Sequence, residues 1–521
     1  MTCTRSFEAV WRTASWRVVL AAMSLVTAPA QPRTSWSPVI PKTWDEAALK
    51  DWATPLASLN VRPTHMSAEQ YYALPVDNLR TYPVYAPGRE PAGYWDFLQK
   101  VGPQPLIEPE KLKTEADWLE AGRIVFDQMD HLHLRTYDEK FIAQARSGNG
   151  RVDSDGTLGA MRWVPTKRGL ALSFANCGAC HRLPLPEGGQ VPGAPSFGGI
   201  RSGAILRSRP PGPTVINQVQ LEEHFLDGGA PIRMGKEPFG MWLYRASGMP
   251  WEPNDVNASL KTMTEPEFRA LFSAGQNGGA LPRWNGSVYF PAKVPDLIGI
   301  KERKYIDHTA THLNRGIGDI MRYAALVSWA ESTEFGGHQM LGGGAEMPDA
   351  RRSDEALYAL AFYIQSLQPP ANPNPYDESA RAGEKLFRRE GCSGCHTPPL
   401  YTNNKLTLAK GYTPPRELPP TLDVLPISVG TDPGLALHTR KGTGYYKVPS
   451  LKGVWYRGHY LHDGSLASLE EMFDPERLNE THRPGGFTPP GKAQRAIPGH
   501  EFGLKLSREE RGQLIAFLRT L

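Results

Sequence analysis

Cys177-Gly178-Ala179-Cys180-His181 decides how this chain is read, and Cys392-Ser393-Gly394-Cys395-His396 repeats its pattern. Cys-x-x-Cys-His is the attachment sequence of a c-type haem. The two thiols add to the porphyrin's vinyl groups, and the adjacent imidazole becomes the proximal iron ligand. Cysteine is scarce, five in 521 residues, so two such motifs are far from a compositional accident. Structural zinc takes four ligands, and a His directly after the second Cys is not zinc-finger spacing. A redox dithiol does not require that His. The sequence therefore points to two covalently bound haems c. Cys177, Cys180, Cys392 and Cys395 hold them, and His181 and His396 reach the irons.

Residues 1–30 have the pattern of a secretory signal. Arg5, Arg12 and Arg17 form a basic segment, Val18 to Val26 is apolar, and Ala28-Pro29-Ala30 fits a cleavage site. The apolar run is too short for a membrane-spanning helix. An uncleaved anchor is the alternative. Cleavage would remove Cys3 and leave every cysteine in a haem motif. It would also lower the formal charge from +4 to +2, since three arginines and Glu8 leave together. A periplasmic or secreted location is expected, with no transmembrane span in the mature chain. No basic run argues for nucleic acid. With 51 Gly, 48 Pro and 10% aromatic residues, the chain suits a loop-rich protein whose core is partly cofactor.

An internal repeat organises the rest. Val294-Pro295-Asp296-Leu297-Ile298-Gly299 matches Val448-Pro449-Ser450-Leu451-Lys452-Gly453 at an offset of 154. At the same offset His308 falls on His462, and Glu355–Leu367 on Glu509–Leu521. Leu360, Ile364 and Leu367 share one helix face, as do Leu514, Leu518 and Leu521. Ahead of the haem motifs, residues 115–126 and 382–387 carry helical patterns. Helix, then Cys-x-x-Cys-His, then a closing helix is the order of a cytochrome c fold. The expected class is mainly α: two cytochrome c-like haem domains with long irregular loops and an N-terminal extension. The boundaries read as 1–30 signal, 31–110 irregular extension, 111–368 first haem domain, 369–375 Pro-rich linker and 376–521 second haem domain. The haem motifs lie 215 apart, so the first domain carries 61 extra residues before its Val-Pro segment. That insertion includes turn-rich Arg207–Pro213 and Met234–Gly240. It is read either as a substrate-facing surface or as ordinary loop growth.

The sixth iron position separates catalysis from electron transfer. For the second haem the first candidate is His500, in Gly499-His500-Glu501-Phe502-Gly503. Met472, His459 and His462 are the alternatives. The first-half run at offset 154 places Glu346 opposite His500. An open or water-bound first haem is therefore expected, with His338, Met340 and Met347 as ligands that could close it. His308 and His312, in Asp307-His308-Thr309-Ala310-Thr311-His312, are candidate distal acid–base residues. Hydrogen bonding to a propionate, or structural support, is the other reading. Because the repeat pairs His308 with His462, it favours a shared structural role for them.

The segments Lys447–Val454 and Tyr460–Glu470, with their Val-Pro-Ser-Leu and His462-Asp463-Gly464 cores, resemble the di-haem cytochrome c peroxidase and MauG superfamily. The resemblance is strong over about 379–521 and weaker over 114–368. It implies that the C-terminal haem takes in electrons and the N-terminal haem reacts with peroxide. The bacterial peroxidases place a methionine ligand fourteen residues after the His matched by His462; here that position is Glu476. The late Gly499-His500 segment and the His-Thr-Ala-Thr-His stretch are more similar to the rubber-oxygenase branch. That likeness implies dioxygen at the first haem and His500 on the second.

Three functional classes follow: an oxidoreductase activating peroxide or dioxygen at the His181 haem with the His396 haem as relay, an electron carrier with both haems six-coordinate, and a haem-based gas sensor. Chain length favours the enzyme, with a small redox donor or acceptor as partner.

Overall fold

The computed structural model describes residues 36–521, apart from 59–60, 62, 132–134, 149–151, 154, 174–175, 186–188, 196–232, 235–236, 239–247, 274–279, 282–286, 329–333, 336–337 and 340–349. The signal sequence, the Arg207–Pro213 loop and the run from Gly342 to Met347 lie outside the described residues, as do most of Met234–Gly240 and Met340. Among the described residues the chain is mainly helical, with small two- and three-stranded antiparallel sheets.

Among the described residues five helices have twelve or more residues: α1 (Glu115–Gln128), α2 (Ile317–Ser328), α3 (Asp354–Ser366), α4 (Glu378–Arg389) and α5 (Arg508–Arg519). Their starts are written in the sequence. Thr114 and Asp117 form a capping box at α1, Ser507 and Glu510 another at α5. Ser353 and Asp377 cap α3 and α4. Each cap satisfies a backbone N–H that the helix leaves unpaired. In α1 the buried residues are Trp118, Ala121, Gly122, Val125 and Phe126, which form one stripe at helical spacing.

The helices pack in two matching pairs. α1 crosses α3 at Gly122, where an added Cβ would lie 2.0 Å from the Ala359 carbonyl oxygen. α4 crosses α5 at Gly383, where it would lie 1.9 Å from the Gln513 oxygen. Ala359 and Gln513 are separated by the repeat offset of 154, so both pairs close at the same point. Only a glycine lets the backbones approach this far. Around the first crossing lies a core including Phe126, Leu357 and Leu360; around the second, Phe387, Leu514 and Phe517.

Between α1 and the first cysteine motif the chain builds a sheet that no sequence periodicity announces. Strand β1 (Tyr82–Tyr85) pairs with β2 (Thr157–Thr166), which pairs with β3 (Gly169–Ser173). Residues 36–110 contribute β1 and short helices and lie on the first helix pair. Trp36 stacks on Phe362 at 5.5 Å, and Lys42 bonds Asp354 at 3.0 Å.

The two halves meet through a reciprocal exchange. The Lys293 N–H donates to the His462 carbonyl at 2.7 Å, and the Lys447 N–H donates to the His308 carbonyl at 3.0 Å. Lys293 corresponds to Lys447, and His308 to His462, at the 154 offset. The interface is therefore self-complementary, as in a two-fold dimer. Gly299 and Gly453, also repeat-related, share φ of 73° and 74°. Among the described residues no helix is long and apolar enough to cross a membrane.

Gly383→Ala forces α4 and α5 apart. A loss of roughly 2 kcal/mol is expected, measured by denaturant unfolding, whereas Gly512→Ala on α5, with no atom near its added Cβ, costs no stability.

Candidate haem centres

Both cysteine motifs fold into the same tight turn. The His181 N–H donates to the Cys177 carbonyl at 3.0 Å, and the His396 N–H to the Cys392 carbonyl at 2.8 Å. The first turn is capped by Asn176, whose side chain accepts from the Ala179 N–H and donates to the Asp127 carbonyl at the end of α1. The second follows α4 after the left-handed Gly391. Among the described residues none of the four motif cysteines is in a disulfide. Burial pushes Cys177 up to about 12 and Cys392 up to about 11. That is the opposite of the thiolate activation a redox dithiol needs. Among the described residues no group of three His, Cys, Asp or Glu side chains is arranged to hold a bare metal ion.

His396 has a defined orientation. Its Nδ1–H donates to the carbonyls of Tyr401 at 3.2 Å and Pro449 at 3.1 Å. That fixes the tautomer and leaves the Nε2 lone pair for a metal. Opposite it stands His500, with ring centroids 6.2 Å apart and planes at 56°. Metal–imidazole bonds of about 2 Å on each side would separate two ring centroids by roughly this distance. Burial holds both imidazoles neutral, each pushed down to about 4, and for His500 the neighbouring His396 adds to the effect. A neutral ring is the ligating form. The pair and the two cysteines beside it fit a haem with two axial histidines.

His500 is delivered by a strained turn. Gly499 and His500 are both left-handed, at φ 82° and 48°. For a non-glycine residue that conformation is uncommon and is held by its surroundings. Here the His500 N–H donates to the Val429 carbonyl at 2.6 Å. Arg477, fully buried, donates to the carbonyls of Gly499 at 2.9 Å and His500 at 3.0 Å, and also to Met472 and Ile497. Sequence reasoning missed Arg477. Its one signal was that it directly follows Glu476, which is exposed and accepts from Asn479. Met472 packs in the second core, and His462 stacks on Tyr446 at 4.2 Å. The backbone carbonyl of His459 accepts from Lys293 Nζ.

The two histidines expected beside the first haem have internal partners. His308 Nε2 bonds the Lys293 carbonyl at 2.8 Å, and burial pushes it well below the usual histidine range. His312 Nδ1 lies 3.2 Å from Asp307 and 2.9 Å from Thr311, with its ring 4.9 Å from Tyr323 and 5.1 Å from Trp52. Burial notwithstanding, Lys441 and His312 hold Asp307 well below the ordinary carboxylate range. The structure does not bring His308 and His312 to a common point. Glu346 and Met347 lie outside the described residues, and β-strand His338–Gln339 is described only in its backbone.

No family model matches the chain. Cytochrome-c peroxidase IdrP1 of Denitromonas iodatirespirans is 28% identical over 34% of this chain and 51% of its own length. Its counterpart in Pseudomonas sp. (strain SCT) is 25% identical over 33% and 50%. Over about a third of its length the chain is thus similar to proteins named cytochrome-c peroxidase. It spans about half the length of the curated peroxidases it matches. Among solved structures, a MauG-like protein associated with microbial copper homeostasis aligns at 15% identity and a TM-score of 0.30, covering 56% of this chain and 89% of that one. Hydrazine synthase of Kuenenia stuttgartiensis aligns at 13% and 0.28, covering 60% and 100%. Neither structural likeness is close enough to carry an argument.

Two measurements test this geometry. Arg477→Met leaves the Gly499 and His500 carbonyls without their donor and is expected to cost about 3 kcal/mol, read by denaturant unfolding. In the haem-free chain the depressed values of His396 and His500 mean that the unfolded chain binds more protons between about pH 4 and 6.5. Their stabilising contribution is complete above pH 6.5 and drains away as pH falls toward 4. His500→Phe removes one of them, and the slope of stability against pH in that window falls by about 1.4 kcal/mol per unit.

Proposed function

We propose that this chain is an exported di-haem c-type oxidoreductase. One haem is attached at Cys177 and Cys180 with His181 as proximal ligand, the other at Cys392 and Cys395 with His396. The single observation that carries the reading is the His396–His500 pair, facing at 6.2 Å beside a Cys-x-x-Cys turn.

Haem iron with an exchangeable sixth site reacts with peroxide or dioxygen, whereas iron held by two histidines passes electrons. The chain's own residues divide these tasks. In the second half, the carbonyls of Pro449 and Tyr401 fix the tautomer of His396, and Arg477 holds the turn that presents His500. That arrangement suits a relay. The core of Phe387, Leu514 and Phe517 keeps water from its inner side. The His181 haem is assigned the reactive role, on the sequence asymmetry between Glu346 and His500. His308 and His312, each with an internal hydrogen-bond partner, are assigned to support of the site. The signal pattern over 1–30 favours the periplasm or the exterior, with a small redox protein or molecule as electron partner.

The late His500, with Glu476 exposed where the peroxidases carry methionine, favours the oxygenase-like branch over the methionine-ligated peroxidases. Peroxide and dioxygen both remain as oxidants.

Electron paramagnetic resonance and absorption spectra of the holoprotein test the reading. The wild type is expected to show a low-spin bis-histidine signal beside a high-spin one. His500→Ala converts the low-spin signal to high spin. Mixing the reduced protein with peroxide or with dioxygen then identifies the oxidant. Two low-spin haems that stay unreactive, or a low-spin signal that survives His500→Ala, overturn the assignment.

A further inference from the structure

A cavity of about 50 Å³ lies where the two halves meet, lined among others by Lys293, Arg303, Lys447, Arg457, Asp296 and His308. The cations come in repeat-related pairs. Lys293 corresponds to Lys447, and Arg303 to Arg457, at the 154 offset. Four cations face one carboxylate, because the position matching Asp296 is Ser450.

Asp463 acts on Lys293 and Asp307 on Lys447 from outside the cavity wall, and Asp296 is the one carboxylate among the lining residues. Asp296 lies 3.8 Å from both Arg303 and Arg457 and accepts from the Tyr456 hydroxyl at 3.0 Å. The other hydrogen bonds go to neutral carbonyls: Lys293 Nζ to His459, Lys447 Nζ to Ile306, Arg457 to Ser450, and Arg303 to Asp296 and Ile298. Burial, aided by the arginine of the opposite half, pushes each lysine down to about 7. Unbalanced cations in a confined space are unfavourable unless an anion joins them.

Size and position narrow the anion. The space takes carboxylate heads and excludes a nucleotide or a sugar. Pro449, which lines the cavity, offers its carbonyl to the His396 Nδ1–H. Pro295, its repeat partner, lines the cavity from the first half. The cavity is thus one residue behind the proximal ligand of the second Cys-x-x-Cys-His motif; toward the first motif the link is Pro195, which lines the cavity two residues after Gly193, whose N–H donates to the His181 carbonyl at 2.8 Å.

We propose that this cavity receives one haem propionate from each half, so that a single set of cations is shared by the two cofactors. The proposal rests on the reading of two attached haems. It makes the two iron potentials interdependent, since a charge lost from the shared set is felt on both sides.

Midpoint potentials of the holoprotein, measured by spectroelectrochemistry, test it. A pyridine haemochrome assay first counts the haems, and fewer than two per chain sinks the underlying reading instead. With two present, Arg303→Gln and Arg457→Gln are each expected to lower both potentials, because a nearby cation favours the reduced state. Arg457→Lys restores most of the shift. Lys447→Met provides a second variant if an arginine variant fails to fold, and it too lowers both potentials. Substitutions that move one potential alone, or neither, overturn the proposal. Inorganic phosphate separates the sources of anion. Phosphate is expected to leave the wild-type potentials unchanged; phosphate-dependent potentials in the wild type that vanish in Arg457→Gln make this a free-anion site and overturn it too.

Discussion

The exchange of backbone hydrogen bonds between Lys293 and His462, and between Lys447 and His308, is the constraint on which the rest of the structure depends. Each bond ties a segment following Cys-x-x-Cys-His in one half to its counterpart in the other. The same lysines then turn their side chains into the central cavity, and the residues two positions on, Pro295 and Pro449, line it. Pairing of the halves and placement of the proximal loops are one structural event. A shift in that register would move the Pro449 carbonyl and with it the hydrogen bond that orients His396.

His500 depends on a different device. A buried arginine normally carries a large desolvation penalty and is retained where its donors are all used. Arg477 spends them on carbonyls from Met472 to His500 and so closes the turn in which Gly499 and His500 adopt left-handed backbone. The strain sits where an imidazole must point inward rather than toward solvent. The buried neutral pair that results has the geometry the proposed iron ligation needs and gains nothing as a surface feature.

Much of this was legible in the sequence. The Cys-x-x-Cys-His motifs, the helical patterns ahead of them and the 154-residue repeat announce themselves because local chemistry dictates them. Helix α1 begins where Thr114 and Asp117 require and carries an unbroken apolar stripe. The sheet of Tyr82–Tyr85 with Thr157–Thr166 did not announce itself, because its pairing is decided by contacts 75 or so residues apart. Nor did Arg477: one arginine among many reveals its role only when its neighbours in space are known. The cavity was hidden for a further reason. Lys293 and Lys447, like Arg303 and Arg457, occupy equivalent positions of the repeat, yet nothing in a linear pattern says that equivalent residues converge.

The self-complementary interface has a consequence for how the two halves can differ. In a symmetric dimer of identical chains, any residue near the axis is present twice, and a change that suits one side is imposed on the other. Joined in one polypeptide through Pro369–Pro375, the halves escape that restriction. Asp296 can face a place where its equivalent is Ser450, and His500 can stand in one half with Glu346 at the matching position of the other. Covalent fusion turns a symmetric scaffold into one with a direction, which is what the proposed division into a reactive haem and a relay requires.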